Sequence, residues 1–330
     1  MKNIIEVKHL YKKFGRFTAV NDVNFEVREG EIFGFLGPNG AGKTTTINIL
    51  CTLMRPTKGR VILNGFDVVK KPNEVRKSVG LVFQDPSLDL KLTAMQNLQF
   101  HASVYDVPRD VAKRRIKKVL DMVELWDRRK DTVQTYSGGM RRRLEIARGL
   151  LHFPRVLFLD EPTLGLDPQT RSHIWDYILE LRKRLNITVF LTTHYMDEAN
   201  VADRIAIIDH GKIVALDTPD NLKRMVGGDV ITMKTDNIEA AAVEIREKYG
   251  IEAHQVSDGI SFEVQNGEEF IPTLVRDFKS GLQGISLHRP TLEDVFLKLT
   301  GREIREEAGG EGVMMKQFAM RQARGGKGFH

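Results

Sequence analysis

Cysteine is nearly missing from this chain: Cys51 is the single one among 330 residues. No disulfide can close within the chain, which fits a reducing compartment. Cys51 itself reads as a small buried apolar residue. Long apolar runs are missing too. No stretch approaches the roughly 20 apolar residues of a membrane-spanning helix, so work at a membrane would need another chain to cross it. Glu6 and Lys8 interrupt the N-terminal segment, and no secretory signal peptide is expected there. Sustained heptads are absent, which excludes a long coiled coil. Charge of one sign is not concentrated: the net charge of +6 is spread along the chain, and no nucleic-acid partner is expected. Apolar residues, at 41%, are plentiful enough for a sizeable core, unlike those of a disordered chain.

Short apolar runs alternate with helical spacing. Ile4 to Lys8 and Val20 to Val27 read as strands. Ile32 to Leu36 reads as a buried parallel strand, followed by a Gly-rich loop and a helix from Thr44 to Met54. Further strands are expected at Val61–Leu63, Gly80–Phe83, Val156–Leu159 and Val189–Leu191. Helical spacing fills Thr93 to Leu125 and Arg171 to Leu185. Ile205–Asp209 and Lys212–Leu216 read as a hairpin joined at His210-Gly211. This alternation predicts an α/β fold, a mostly parallel sheet with helices on both faces.

Composition shifts at Val226-Gly227-Gly228, so a first domain is expected over residues 1–226. A second, small α+β domain is expected over 227–302. Its strands are read at Val230–Lys234, Ile251–Val256, Ile260–Val264 and Ile285–His288. Its helices are read at Ile238–Tyr249 and at Glu268–Ser280, the latter capped by Asn266 with Glu269 three residues on. The order βαββαβ matches the ferredoxin-like motif. A last helix starts at Thr291. Residues 303–330 are polar, basic and Gly-rich, and read as a disordered tail.

Gly37-Pro38-Asn39-Gly40-Ala41-Gly42-Lys43-Thr44 fits G-x-x-x-x-G-K-[ST], with the strand before it and the helix after it that a phosphate loop requires. Glycine lets backbone N–H groups converge on phosphate oxygens. The helix N-terminus adds partial positive charge. Lys43 supplies a full charge to the β- and γ-phosphates, and the Thr44 hydroxyl suits Mg²⁺. Thr45 belongs to the same nucleotide-binding stretch. Asp160 and Glu161 end the apolar strand Val156–Leu159, where ligands bind in open parallel sheets. Asp160 suits Mg²⁺ through water, and Glu161 suits polarisation of an attacking water. ATP and Mg²⁺ are therefore the expected ligands.

Tyr136-Ser137-Gly138-Gly139-Met140 resembles the signature motif of ABC-type ATPases, usually LSGGQ, with Tyr for Leu and Met for Gln. The order of phosphate loop, signature and acidic strand matches that family over about Ile4 to Leu222. The resemblance implies a P-loop, ABC-type ATP-binding domain. It implies that Ser137, Gly138 and Gly139 face ATP held by another subunit, so that the working unit is a dimer; a homodimer is expected, with pairing to a paralogue as the alternative. Arg141 to Arg143 read as a solvated basic helix face. By the same resemblance Gln84 is the Q-loop glutamine near Mg²⁺ and water, and His194 the switch histidine at the γ-phosphate. Asp167 belongs to the D-loop, and Phe14 stacks on adenine with Tyr11 as the alternative. Arg289-Pro290-Thr291-Leu292-Glu293-Asp294-Val295-Phe296-Leu297 resembles the C-terminal segment of drug-efflux ABC ATPases of the daunorubicin-resistance type.

The role this resemblance implies is that of the motor subunit of an exporter. The chain would be cytoplasmic and peripheral at the membrane, attached to an integral permease on a separate chain through about Asp85 to Gln96. The other reading is a non-transport ABC ATPase acting on ribosomes or DNA. Those relatives carry two motor domains or an inserted coiled coil, and this chain has one phosphate loop and one signature.

Overall fold

The computed structural model describes residues 2–256, 259–279 and 281–301. The chain divides into two compact units between Asp217 and Thr218. The first runs β1 (Asn3–Phe14), β2 (Phe17–Arg28), β3 (Ile32–Leu36), α1 (Lys43–Leu50), β4 (Lys58–Leu63), β5 (Phe66–Asp67), α2 (Pro72–Ser78) and β6 (Val79–Val82). It continues with α3 (Ala94–Val104), α4 (Arg109–Met122), α5 (Gly138–Leu150), β7 (Val156–Asp160), α6 (Pro168–Leu185) and β8 (Thr188–Thr193). It closes with α7 (Met196–Ala199), β9 (Arg204–Asp209) and β10 (Lys212–Asp217).

These strands form two sheets. One is antiparallel, in the order β2-β1-β4-β5. The other has the order β10-β9-β3-β8-β7-β6, parallel except for the edge strand β10. Every residue of β3, β7 and β8 is buried, which is why these strands read as unbroken apolar runs rather than as alternation. Phenylalanines join the two sheets. Phe25 of the antiparallel sheet stacks on Phe33 at 5.4 Å, and Phe190 lies 5.2 to 6.0 Å from Phe158, Phe33, Phe35 and Phe25. Each such pair adds about 0.5–1.5 kcal/mol to plain burial.

Register decides where chemistry collects. Leu36 pairs with Thr193, Asp160 with Thr192, and Val82 with Leu159. The carboxyl ends of β3, β8, β7 and β6 are therefore level. The phosphate loop, His194, Glu161 and Gln84 all leave the sheet along that one edge, the ligand edge of a parallel sheet.

The second unit runs α8 (Pro219–Arg224), β11 (Asp229–Thr235), α9 (Ile238–Tyr249), β12 (His254–Val256), β13 (Gly259–Val264), α10 (Gly267–Asp277), β14 (Leu282–His288) and α11 (Leu292–Thr300). Its antiparallel sheet has the order β12-β13-β11-β14, so β11 to β14 follow the βαββαβ path. Ile231, Met233, Ile245, Ile260, Phe262 and Leu274 fill its core. The division falls nine residues before the Gly227-Gly228 segment. The reason lies in α8: the carbonyls of Met225 and Val226, just after it, accept hydrogen bonds from Lys298 Nζ of α11. Asn266 does not cap α10 with its side chain. Instead Gly267 N–H donates to Asp229 Oδ2 at 2.8 Å, and Asp229 takes the capping part from β11. Asp258, between the expected strands Ile251–Val256 and Ile260–Val264, Ser280 and residues 302–330 lie outside the described residues.

Candidate nucleotide site

The phosphate loop is shaped by close approach. A Cβ on Gly37 would stand 2.3 Å from the Ile208 carbonyl oxygen, and one on Gly42 would stand 2.5 Å from that of Ala19. Gly42 also has φ +106° as the residue leading into α1, a backbone that L side chains rarely adopt. With these contacts only glycine lets the loop lie against β9 and β2. Asn39, Gly40 and Thr44 remain exposed, Pro38 and Thr45 half-buried, and Ala41 buried.

Lys43 is buried at 5% exposure. Its Nζ donates to the carbonyls of Gly37 at 2.7 Å and Pro38 at 3.1 Å, and lies 3.3 Å from Glu161 Oε1. Burial lowers the Lys43 pKa, and the attraction of Glu161 opposes this only in part. Glu161 is the hub. Gln84 Nε2 donates to its Oε2 at 3.3 Å, and His194 Nδ1 lies 3.4 Å from its Oε1, close but not aligned as a hydrogen bond. Burial pushes the Glu161 carboxyl up, but His194 and Lys43 together hold it below its ordinary value. Glu161 also has φ +45°, a left-handed backbone that surrounding structure must enforce in a non-glycine residue.

Asp160 beside it behaves oppositely. Burial raises its pKa, as does the neighbouring Glu161 charge. Its Oδ1 accepts from Thr192 Oγ1 at 2.5 Å and from Thr44 Oγ1 at 3.5 Å. A hydroxyl, a carboxylate and a nearby amide are hard oxygen donors of the kind Mg²⁺ takes. Among the described residues no three His, Cys, Asp or Glu side chains gather into a complete metal cage. The hydroxyl and carboxylate donors fit an ion that takes part of its shell from phosphate and water.

Among the described residues, the other sequence-derived positions make no hydrogen bond or ion pair with this cluster. Ser137 Oγ accepts from Met140 N–H and caps α5. A Cβ on Gly138 would meet Leu166 at 3.3 Å, and one on Gly139 would meet Thr170 at 2.7 Å, so the signature turn lies against the start of α6. Asp167, exposed, caps α6 by accepting from Thr170 N–H at 2.9 Å, and hydrogen bonding from the Thr170 side chain first, then from its backbone, holds the carboxyl below the usual range. Tyr136 occupies an apolar slot, 3% exposed, with its hydroxyl donated to the Arg128 carbonyl. Phe14 ends β1 with its ring 44% exposed and Lys12 Nζ 5.0 Å from the ring centre. Tyr11 is half-buried. Cys51 is buried, as expected of a lone cysteine in an apolar stretch.

Three residues escaped sequence reasoning. Thr192 orients Asp160. Glu198 is buried and accepts from the hydroxyls of Thr163 and Thr193, tying the segment after Glu161 to the strand before His194. Arg142 corrects the reading of Arg141 to Arg143 as a solvated face: it is 7% exposed and fully bonded. Its spacing held the clue. Arg142, Glu145, Ile146, Gly149 and Leu150, all buried, follow the 3–4 helical period of one inward stripe.

The model of the ABC transporter family matches residues 20–164. The linearmycin resistance ATP-binding protein LnrL of Bacillus subtilis is 36% identical over 312 residues, covering 92% of this chain and 100% of that one. The daunorubicin resistance ATP-binding protein DrrA3 of Streptomyces coeruleorubidus is 39% identical, covering 92% and 98%. Among solved structures, the ATP-binding cassette MJ0796, dimeric and bound to ADP and Pi in a post-hydrolysis state, is similar with a TM-score of 0.58. It is 28% identical, over 65% of this chain and 98% of that one. With the level strand ends and the relatives in agreement, the chain belongs to the ABC transporter family, as an ATP-binding subunit whose ATP hydrolysis is coupled to transport.

Proposed function

We propose that this chain drives export through a permease carried on a separate chain, working as a homodimer that closes over two ATP molecules. The observation that carries the reading of the site is the convergence of Lys43, Gln84 and His194 on one carboxylate, Glu161. Lys43 and the loop from Gly37 to Thr45, through the backbone N–H groups that follow Pro38, bind the phosphates. Glu161 polarises the attacking water, His194 contacts the γ-phosphate, and Gln84 holds the water in line. Thr44, Asp160 and Gln84 would hold Mg²⁺, which when bound offsets the charge on the phosphate oxygens. Phe14 stacks on adenine. Ser137, Gly138, Gly139 and Asp167 act across the dimer.

Supporting export, the relatives named above are a linearmycin and a daunorubicin resistance ATP-binding protein. No helix among the described residues is long and apolar enough to cross a membrane, consistent with a peripheral chain on the cytoplasmic face. The second unit supports the dimer or the permease contact and takes no part in the chemistry.

Mixing tests the division between subunits. Glu161→Gln and Ser137→Arg should each abolish turnover alone. A mixed dimer of the two pairs an intact Glu161 with an intact Ser137 at one of its sites, so mixing should restore turnover. No recovery after subunit exchange would refute the shared site. Export by the permease complex in inverted vesicles, lost with Glu161→Gln, tests the coupling.

A further inference from the structure

Arg142 lies five residues beyond Ser137, on the helix that the signature turn opens. A guanidinium has five N–H donors, and here all five are directed at acceptors. Nε donates to the Pro162 carbonyl at 2.5 Å. Nη1 donates to the Phe83 carbonyl at 2.7 Å and to Glu145 Oε2 at 2.8 Å. Nη2 donates to the carbonyls of Asp160 at 3.3 Å and Glu161 at 3.2 Å. Glu145 carries the link further, because its other oxygen accepts from Ser87 N–H at 2.9 Å. The pair therefore grips the Gln84 segment on both sides, at Phe83 and Ser87. It also gathers three successive carbonyls around Glu161, the residue held at φ +45°.

A buried charge is costly unless every polar atom finds a partner. A neutral residue would fill this position at lower cost if filling were its whole task. What the charge adds is rigid connection: α5, the backbone of Glu161 and the Gln84 segment must move together.

We propose that Arg142 is a positioning residue that transmits the placement of the signature helix to Glu161 and Gln84, so that the turn engaging one nucleotide aligns the carboxylate acting on the other. This rests on Glu161 being the carboxylate that polarises water and on the signature acting across the dimer. Lysine keeps the charge but brings three donors on a single atom, and cannot span carbonyls on both segments.

The experiment uses the full chain with Arg142→Lys, measuring steady-state ATP turnover, affinity for a non-hydrolysable ATP analogue, and thermal melting. Turnover should fall about tenfold to a hundredfold, as misplacement by an ångström does. KM and analogue affinity should stay within about twofold. Glu145→Gln keeps the shape and weakens the same grip, so it should show the same split with a smaller loss. Wild-type turnover in Arg142→Lys, or equal losses of affinity and turnover, would overturn the proposal. Failure of both variants to fold would make the pair a stability element and overturn it as well. Glu161→Gln separates the two readings. If that variant still turns over, the site assignment fails; if it is inactive while Arg142→Lys is not, only the role of Arg142 fails.

Discussion

The Lys43 ammonium and the Glu161 carboxylate form a buried ion pair of 3.3 Å, with Lys43 also held by two carbonyls of its own loop. The residue assigned to the phosphates and the residue assigned to water thus share one interaction. Under the roles proposed above, phosphate oxygens that drew Lys43 toward themselves would release Glu161 at the same moment. Phosphate binding and activation of the proposed base would then be linked through a single ammonium group.

Lys43→Ala should therefore weaken nucleotide binding. Losing a charge-assisted hydrogen bond costs about 1.5–3 kcal/mol, or roughly tenfold to a hundredfold in affinity. Isothermal titration of the full chain with a non-hydrolysable ATP analogue reads this directly. Unchanged affinity in a folded variant would remove Lys43 from the phosphates.

Glu161→Gln keeps the shape of the side chain and removes the base, so turnover should drop by about a hundredfold or more. ATP should still bind, and size-exclusion chromatography with ATP should show the dimer accumulating. The wild-type profile gives a second check. Although burial pushes Glu161 up, His194 and Lys43 bring it below its ordinary value of 4.5. Loss of turnover through its protonation should appear only below that pH. A limb that set in near neutrality and vanished with the variant would contradict the assignment.

Asp160 predicts a trade of stability for function. Burial and Glu161 raise its pKa above the ordinary 3.8, so between 3.8 and the raised value the folded chain holds more protons than the unfolded one. Stability falls as pH rises through that window and stays lowered above it. Asp160→Asn removes the penalty. At neutral pH it should melt a few degrees above wild type, while Mg²⁺-dependent ATP binding and turnover are lost. Melting curves at neutral and acidic pH check the sign, since the gap between the two proteins should narrow in acid. A variant that melts earlier at neutral pH would refute it.

Phe262, 2% exposed in the core of the second unit, tests the division of labour. Phe262→Ala should destabilise that unit by about 3–5 kcal/mol, seen as an earlier melting transition. ATP-analogue affinity should remain near wild type, because every assigned ligand lies in the first unit. Collapse of affinity in a chain whose first unit stays folded would show that the second unit helps to build the site.

The chain's own residues were enough to determine the phosphate loop, the acidic strand end and the helix Ile238–Tyr249. Each depends on contacts within a few residues: glycine spacing, an apolar run meeting a charge, a period of 3.6. The strand alternation likewise determined a parallel sheet, because short apolar strands separated by helices have few other ways to bury both faces. Tertiary structure decided the rest. Asn266 looked like a cap from its neighbours, yet Asp229, distant in sequence, supplies that bond. Arg142 looked solvated because its flanking residues are arginines, yet its backbone partners stand 18 to 59 residues away. A helix turns about 100° per residue, so three consecutive arginines face three directions. Which of them points inward is decided by the sheet behind α5, and only the folded chain places five acceptors where one guanidinium can meet them.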